Sequence, residues 1–295
     1  MSAVPPLPIR SWLFAPGDSE RKMVKAVDSA ADIVLLDLED AVTPENKPVA
    51  RRLVRDLLAG RPEGHQRIWV RVNPLDGALT LPDLAAVMPV RPGGIMLPKA
   101  CGRADVERLD HYLSALEIAH GIEQGTTRIV ALVTETAASM FRTGDYAGVE
   151  RLIGLSWGAE DLADSIGASS NRDADGRYRA PYELARSLCL LGAAAAGIAA
   201  VETIHGDFRD PDALKARAER ARQDGYRGML AIHPAQVDVI NAAFTPSADE
   251  IAEARTIVDL FAANPGVGAI GHRGGMLDRP HLSRAQQLLA QAGAH

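Results

Sequence analysis

The sequence predicts a (β/α)8 TIM barrel with a C-terminal helical extension, and three observations carry that prediction. Eight short apolar runs are each bounded by Gly, Pro or charge and followed by a segment of helical spacing. Only 4% of the 295 residues are aromatic, so Ala, Val, Leu and Ile must fill the core. That composition suits parallel strands covered by helices, which read as continuous aliphatic runs. The eighth run ends near residue 232, which leaves a tail surplus to a barrel of roughly 250 residues. The expected division is a catalytic barrel over 1–240 and an extension over 241–295.

The runs are Ser11–Ala15, Ile33–Leu38, Ile68–Val72, Gly94–Pro98, Ile129–Val133, Leu152–Ser156, Ala199–Ile204 and Gly228–Ile232. After the first, Asp18 or Ser19 can cap a helix to about Ala30; after the second, Thr43 is an N-cap with Pro44 at the first helical position. Helical spacing is clear over Arg103–His120, Tyr182–Gly197 and Pro211–Asp224. A helix from Thr136 or Ala137 is short and ends at Gly144. In the tail, Ser247-Ala248-Asp249-Glu250 opens a helix to Ala263 with a capping box, Gly266–Gly275 is hairpin-like, and a last helix starts near His281. A tail this apolar is expected to pack on its own barrel or on a neighbouring subunit.

With 47% hydrophobic and 24% charged residues the chain is ordinary globular material, expected to bury a sizeable core. A formal charge of −6 supplies no positive field for nucleic acid or an anionic membrane. There is no 18-residue apolar run and no charged-then-apolar leader in the first ten residues, so the expected compartment is the cytoplasm. The two cysteines, Cys101 and Cys189, exclude a disulfide framework and read as buried small hydrophobes.

In such barrels function collects at the carboxyl ends of the strands. Those ends read Pro16-Gly17-Asp18, Asp37-Leu38-Glu39-Asp40, Arg71-Val72-Asn73, Pro98-Lys99, Thr134-Glu135-Thr136, Gly158-Ala159-Glu160-Asp161, His205-Gly206-Asp207 and His233-Pro234. Glu39, Asp40, Glu135, Glu160 and Asp161 at one rim would repel one another without a cation, and all-oxygen donors favour Mg²⁺ over Zn²⁺. The other reading is that each acid caps the helix that follows it. Arg71 closes an otherwise apolar strand, as a clamp for a carboxylate or oxyanion or in a salt bridge to a nearby acid. Lys99, one of five lysines, is either a Schiff-base former, a substrate-carboxylate ligand or the partner of an acid. His205 and His233 read as hydrogen-bonded core histidines. No P-loop, dinucleotide fingerprint, nucleophile elbow or His-Glu-x-x-His occurs, which argues against nucleotide hydrolysis, hydride transfer, serine hydrolysis and zinc proteolysis.

The ordered motifs Arg10-Ser11-Trp12-Leu13-Phe14-Ala15-Pro16-Gly17, Asp37-Leu38-Glu39-Asp40-Ala41-Val42, Arg71-Val72-Asn73, Leu97-Pro98-Lys99, Glu135-Thr136, Gly158-Ala159-Glu160-Asp161-Leu162, His233-Pro234-Ala235-Gln236 and Gly275-Met276-Leu277-Asp278 resemble the citrate lyase β-subunit and malyl-CoA lyase family. The resemblance spans almost the whole chain. It implies a Mg²⁺-dependent carbon–carbon lyase that splits a 3-hydroxyacyl-CoA of malyl, citramalyl or hydroxymethylglutaryl type into a 2-oxo acid and an acyl-CoA. Alternatives within it are a citrate lyase β-subunit acting on citryl thioester, a malyl-CoA thioesterase and a non-catalytic sensor of 2-oxo acids. By position, the resemblance makes Glu135 and Asp161 the Mg²⁺ ligands and Arg71 the residue that holds the reacting carbonyl. Glu39 and Asp40 would orient water and Arg71, with Lys99 near the substrate. Asp278 would exchange a proton in the active site of a neighbouring subunit, so a homotrimer or hexamer is expected. The loop Phe14–Gly17 and Arg21, Lys22 and Lys25 are candidate CoA contacts, the basic residues reading equally as a solvated helix face. His272-Arg273-Gly274-Gly275 departs from the Gly-Lys pair common in the family.

Overall fold

Alternation along the strands decides what fills the centre of this protein. In the computed structural model, which describes residues 9–61 and 65–293, Trp12, Ile33, Leu35, Trp69, Met96, Val130, Leu132, Val201 and Leu230 form one buried cluster. They recur at period two within their strands, as inward-facing positions do. The strands are β1 (Ser11–Pro16), β2 (Ile33–Asp37), β3 (Ile68–Arg71), β4 (Gly94–Leu97), β5 (Arg128–Leu132), β6 (Leu152–Ser156), β7 (Ala199–Glu202) and β8 (Gly228–Ala231). They close in sequence order into a parallel barrel, with β1 pairing both β2 and β8. Two of the three tryptophans, Trp12 and Trp69, meet edge to face inside it, ring centroids 5.1 Å apart. Two of the largest side chains in the protein thus meet in the barrel interior.

The helices of the barrel unit are α1 (Glu20–Val27), α2 (Lys47–Ala59), α3 (Thr80–Val87), α4 (Arg103–Ala119), α5 (Glu160–Ser165), α6 (Ala180–Ala196) and α7 (Pro211–Asp224), followed by α8 (Val237–Phe244). Contacts divide the chain into two compact units, Met1–Asn241 and Ala242–His295. In the second, α9 (Ala248–Ala263) packs on α10 (Arg279–Gln291), and β9 (Ala269–His272) pairs antiparallel with β10 (Gly275–Asp278). Ser247 caps α9 in a capping box with Glu250, as its sequence predicts. The hairpin lies a few residues beyond the expected Gly266–Gly275. Its two-residue turn is Arg273-Gly274, with φ of 45° and 80°, the mirror-image geometry that matches strand twist. The last helix starts at Arg279 rather than His281.

Three local expectations change. Thr43 caps only a 3-10 turn, Pro44–Asn46, before α2 begins at Lys47. The short helix expected from Thr136 is a 3-10 turn over Ser139–Arg142. There Thr136 and Ser139 exchange side-chain bonds with each other's backbone N–H at 3.1 and 3.2 Å, which competes with helical bonding. Cys189 is buried, but Cys101 is only half-buried, in the β4–α4 loop where its N–H donates to Asp105. The first eight residues, where no leader was read, lie outside the described residues. Among the described residues no helix is long and apolar enough to cross a membrane.

At the amino-terminal end of the barrel, charge ties α4 to the starts of β5 and β6. Glu117, fully buried on α4, accepts from the N–H groups of Thr127 and Gly125 at 2.8 Å and from Arg151 Nη2 at 2.7 Å. Arg151, just before β6, also pairs with Asp110. Burial pushes the Glu117 carboxyl up, but Arg151 and the two backbone donors outweigh it and hold it at about 2. This stabilisation is present above the unfolded value, near 4.3, and is lost as pH falls toward 2. Glu117→Gln removes the buried one of the two counter-charges of Arg151, leaving Asp110, and is expected to lower unfolding free energy by about 3 kcal/mol, measured by urea denaturation at pH 7.

Candidate active site

The period that fills the barrel also builds its mouth. Ile33 and Leu35 face inward, so Asp37 does too, and Trp69 puts Arg71 inward by the same count. Asp37 and Arg71 are register partners across β2 and β3. Their side chains form a two-pronged ion pair, Nε to Oδ1 at 2.7 Å and Nη2 to Oδ2 at 2.6 Å. Asp37 also accepts from the N–H groups of Glu39 and Ala41. Desolvation pulls Arg71 down, but the charge of Asp37 dominates and keeps it cationic. Its guanidinium lies over the Phe14 ring, 4.8 Å from the centroid. Gly17 makes this approach possible: its N–H donates to the Asp37 carbonyl at 2.8 Å, and a Cβ there would stand 2.7 Å from that oxygen.

Three further acids surround Lys99. Its ammonium lies 2.6 Å from Glu39 Oε1 and 2.8 Å from Asp161 Oδ1, and its backbone N–H donates to Glu135 Oε2 at 2.7 Å. Lys99 has a φ of 54°, a left-handed conformation uncommon outside glycine, and this backbone aims N–H and ammonium at different carboxylates. Desolvation opposes its charge, but Asp161 and Glu39 raise its pKa. A lysine held as ammonium is no Schiff-base nucleophile, so its geometry is that of an acid's partner.

The carboxylates are frustrated. Burial, then the charges of Asp161 and Glu39, push Glu135 up to about 8. Burial also raises Glu39, against the pull of Arg71 and Lys99. Glu39 Oε2 stands 2.8 Å from Arg71 Nη1 as an ion pair, yet it is buried and makes no hydrogen bond. Gly158 leaves room for Glu135, because a Cβ would meet its Oε1 and Cγ at 3.0 Å. Asp161 and Glu160 both open α5, but Glu160 turns away to accept from Asn171. Asp40 stays at the exposed rim, 3.9 Å from both Arg71 and Lys99. Glu135 and Asp161, with the unsatisfied oxygen of Glu39 nearby, fit a hard divalent cation. Among the described residues no ready cage of three or more ligands exists. Such a site suits an ion that takes one or two protein carboxylates and fills its sphere with water and substrate oxygens.

Other positions expected from the sequence each have surroundings of their own. Arg21, Lys22 and Lys25 lie on the exposed face of α1. Asp278, in the second unit, is the N-cap of α10 and touches His281, which lowers its pKa. His233 stacks on Phe208 at 4.5 Å, and its Nδ1 accepts from Ala235. His205 departs from the hydrogen-bonded histidine expected: neither ring nitrogen has a hydrogen-bond partner. Gln236 instead bonds the His205 carbonyl and the N–H groups of Ile232 and His233, while burial and the charges of Arg217 and Arg172 hold the ring's pKa down. Sequence reasoning missed Asp37 as the Arg71 partner, although alternation from Ile33 and Leu35 points to it. It also missed Glu202, fully buried at the end of β7, which joins Trp157 Nε1 at 2.7 Å to Arg186 Nε at 2.6 Å. An acid inside the run Ala199–Ile204 was its signal.

The raised Glu135 makes a signed prediction. The folded, metal-free protein binds its proton more tightly than the unfolded chain, so stability falls as pH rises from about 4.5 to about 8. Glu135→Gln keeps an acceptor for Lys99 N–H and removes the repulsion. In EDTA at pH 8 it is expected to raise the melting temperature by about 2–4 °C, the size of a ~1 kcal/mol gain. Differential scanning calorimetry of both proteins from pH 5 to 8 checks both statements.

Comparison with known proteins places this mouth in context. The sequence profile of the HpcH/HpaI aldolase/citrate lyase family matches residues 10–234. The citrate lyase subunit beta-like protein of Mycobacterium tuberculosis is 36% identical over 96% of this chain and 95% of its own. The (3S)-malyl-CoA thioesterase of Cereibacter sphaeroides is 34% identical over 97% of this chain and 95% of its own. A crystal structure of CitE from Mycobacterium tuberculosis in complex with magnesium, acetoacetate and coenzyme A superposes with a TM-score of 0.79, at 35% identity, over 96% of this chain and 98% of that one. A chain that matches over nearly its full length, with the same barrel, belongs to the HpcH/HpaI aldolase/citrate lyase family.

Proposed function

We propose that this chain is a Mg²⁺-dependent lyase that cleaves a 3-hydroxyacyl-CoA of malyl, citramalyl or hydroxymethylglutaryl type into a 2-oxo acid and an acyl-CoA. The observation that carries the reading is the crowding of Glu39, Glu135 and Asp161 around Lys99, beside an arginine already locked in position. The magnesium, acetoacetate and coenzyme A bound by the CitE structure support it. Glu135 and Asp161 would hold Mg²⁺, which supplies Lewis acidity favouring the departing 2-oxo acid.

The chain's own residues account for the rest. Cleavage sends an electron pair toward the thioester α-carbon, and the negative charge collects on the thioester oxygen. Asp37 fixes Arg71 through Nε and Nη2, and of the two N–H bonds on Nη1 one points toward Glu39 while the other would face that oxygen. A preorganised donor of this kind typically contributes 10²–10³-fold in rate. Phe14 keeps water from one face of the guanidinium, and Lys99 and Glu39 set the charge beside it. Asp278, from a neighbouring copy in a trimer or hexamer, would exchange the proton of the α-carbon, while Asp40 at the rim orients water. The cytoplasm is the compartment in keeping with such substrates.

A second reading, malyl-CoA thioesterase, is favoured by the relative of that name. Assay of malyl-, citramalyl-, citryl- and hydroxymethylglutaryl-CoA with Mg²⁺ separates the two. A lyase yields a 2-oxo acid with an acyl-CoA, whereas free CoA thiol without an acyl-CoA product overturns the lyase. Full activity in EDTA overturns the metal. Arg71→Lys, which loses the two-pronged grip on Asp37, is expected to lower kcat about 10²–10³-fold, measured as 2-oxo acid release.

A further inference from the structure

We infer that His281 is the proton-supplying partner of Asp278, the two side chains forming a dyad that loads the proton exchanged with the thioester α-carbon. The inference rests on the reading of Asp278 proposed above. Asp278 ends β10 and caps α10, and His281 lies three residues on, in the first helical turn. Its Nδ1 is 2.5 Å from Asp278 Oδ1, and the Asp278 backbone N–H points at the same nitrogen from 3.2 Å. The two side chains are within hydrogen-bond reach, with either Nδ1–H donating to a carboxylate or a carboxyl O–H donating to Nδ1. A proton can therefore pass between them.

Of the charges nearby, three are engaged with one another. α10 packs on α9 and β10. On α9, Glu253 pairs with Arg273 at 2.8 Å and with His272 at 3.4 Å. Both members of the dyad are open to solvent, His281 at 37% and Asp278 at 40% side-chain exposure, so a spent proton can be replaced.

Chemistry makes the partner necessary. The bond to His281 holds the Asp278 carboxyl below its ordinary value, so at neutral pH the carboxylate alone has no proton to give. Cleavage nonetheless leaves an enolate whose carbon must be protonated. Imidazole is the side chain that gains and loses a proton in this range. In the cleavage direction the proton between Nδ1 and Oδ1 passes to the α-carbon through the Asp278 carboxyl. The enolate electron pair forms the C–H bond, the thioester carbonyl re-forms, the imidazole is left neutral, and water restores its proton. The hydroxyl of the substrate releases one proton to solvent in the same turnover, so none is consumed overall.

The test uses the full chain with Mg²⁺, following malyl-CoA cleavage and, separately, exchange of the acetyl-CoA methyl hydrogens into D2O. His281→Asn keeps an N–H for Oδ1 but stores no proton. It is expected to lower kcat and exchange about 10²-fold with KM unchanged. His281→Ala should fall as far and regain activity when imidazole is added, a rescue that a merely structural role does not give. If His281→Asn stays within about twofold of the unaltered protein while Asp278→Asn is inactive, His281 only caps the helix and the inference is overturned. Activity retained in Asp278→Asn, or no cleavage by the unaltered protein, overturns the reading of Asp278 itself and the dyad with it. Melting curves of both His281 variants identify loss of fold.

Discussion

The ion pair between Asp37 and Arg71 is the constraint on which the rest of the mouth depends. Barrel closure brings the ends of β2 and β3 into register, and the pleat turns both side chains inward. A charge at that depth is tolerable only with its partner, so the pair and the register require each other. Once Arg71 is fixed, Glu39 meets its free edge, Lys99 meets Glu39, and Asp161 and Glu135 follow around the ring. A one-residue slip of either strand would turn the guanidinium into the outer helical layer and dissolve the chain of contacts.

Lys99 shows how such a site is held under tension. Its left-handed backbone is sustained because Glu135 accepts its N–H while Glu39 and Asp161 accept its ammonium. Those three acids repel one another, and one of them is driven toward neutrality by burial. Local strain and mutual repulsion at one spot are the usual marks of a place shaped for a ligand rather than for stability.

Much of this was legible in the sequence. The eight aliphatic runs mark the eight strands to within two residues at either end, because a strand covered on both faces leaves no polar position to confuse the pattern. The acids at the strand ends were legible too, since chemistry at a barrel's mouth follows directly after each run. What was not legible depends on side-chain direction and on partners distant in sequence. Glu160 and Asp161 are neighbours in the chain, yet only Asp161 reaches Lys99, and helix geometry rather than composition separates them. The unpaired ring of His205 was hidden because spacing places a histidine at a strand end but does not show whether a partner reaches its ring; Gln236, from the next loop, meets only its backbone carbonyl. Thr136 and Ser139 melted an expected helix through bonds that spacing alone does not reveal.

The two ends of the barrel carry different burdens. At the amino-terminal end Glu117, Arg151 and the turn at Gly125 form a satisfied polar network, whereas the opposite end keeps raised carboxylates, one with an oxygen that meets Arg71 only as an ion pair. Folding strength and chemical reactivity are therefore stored about one strand-length apart and draw on different residues. A lineage built this way can rework its mouth without loosening its foundation. Proteins with one scaffold can then diverge in the bond they break while their sequences stay a third alike.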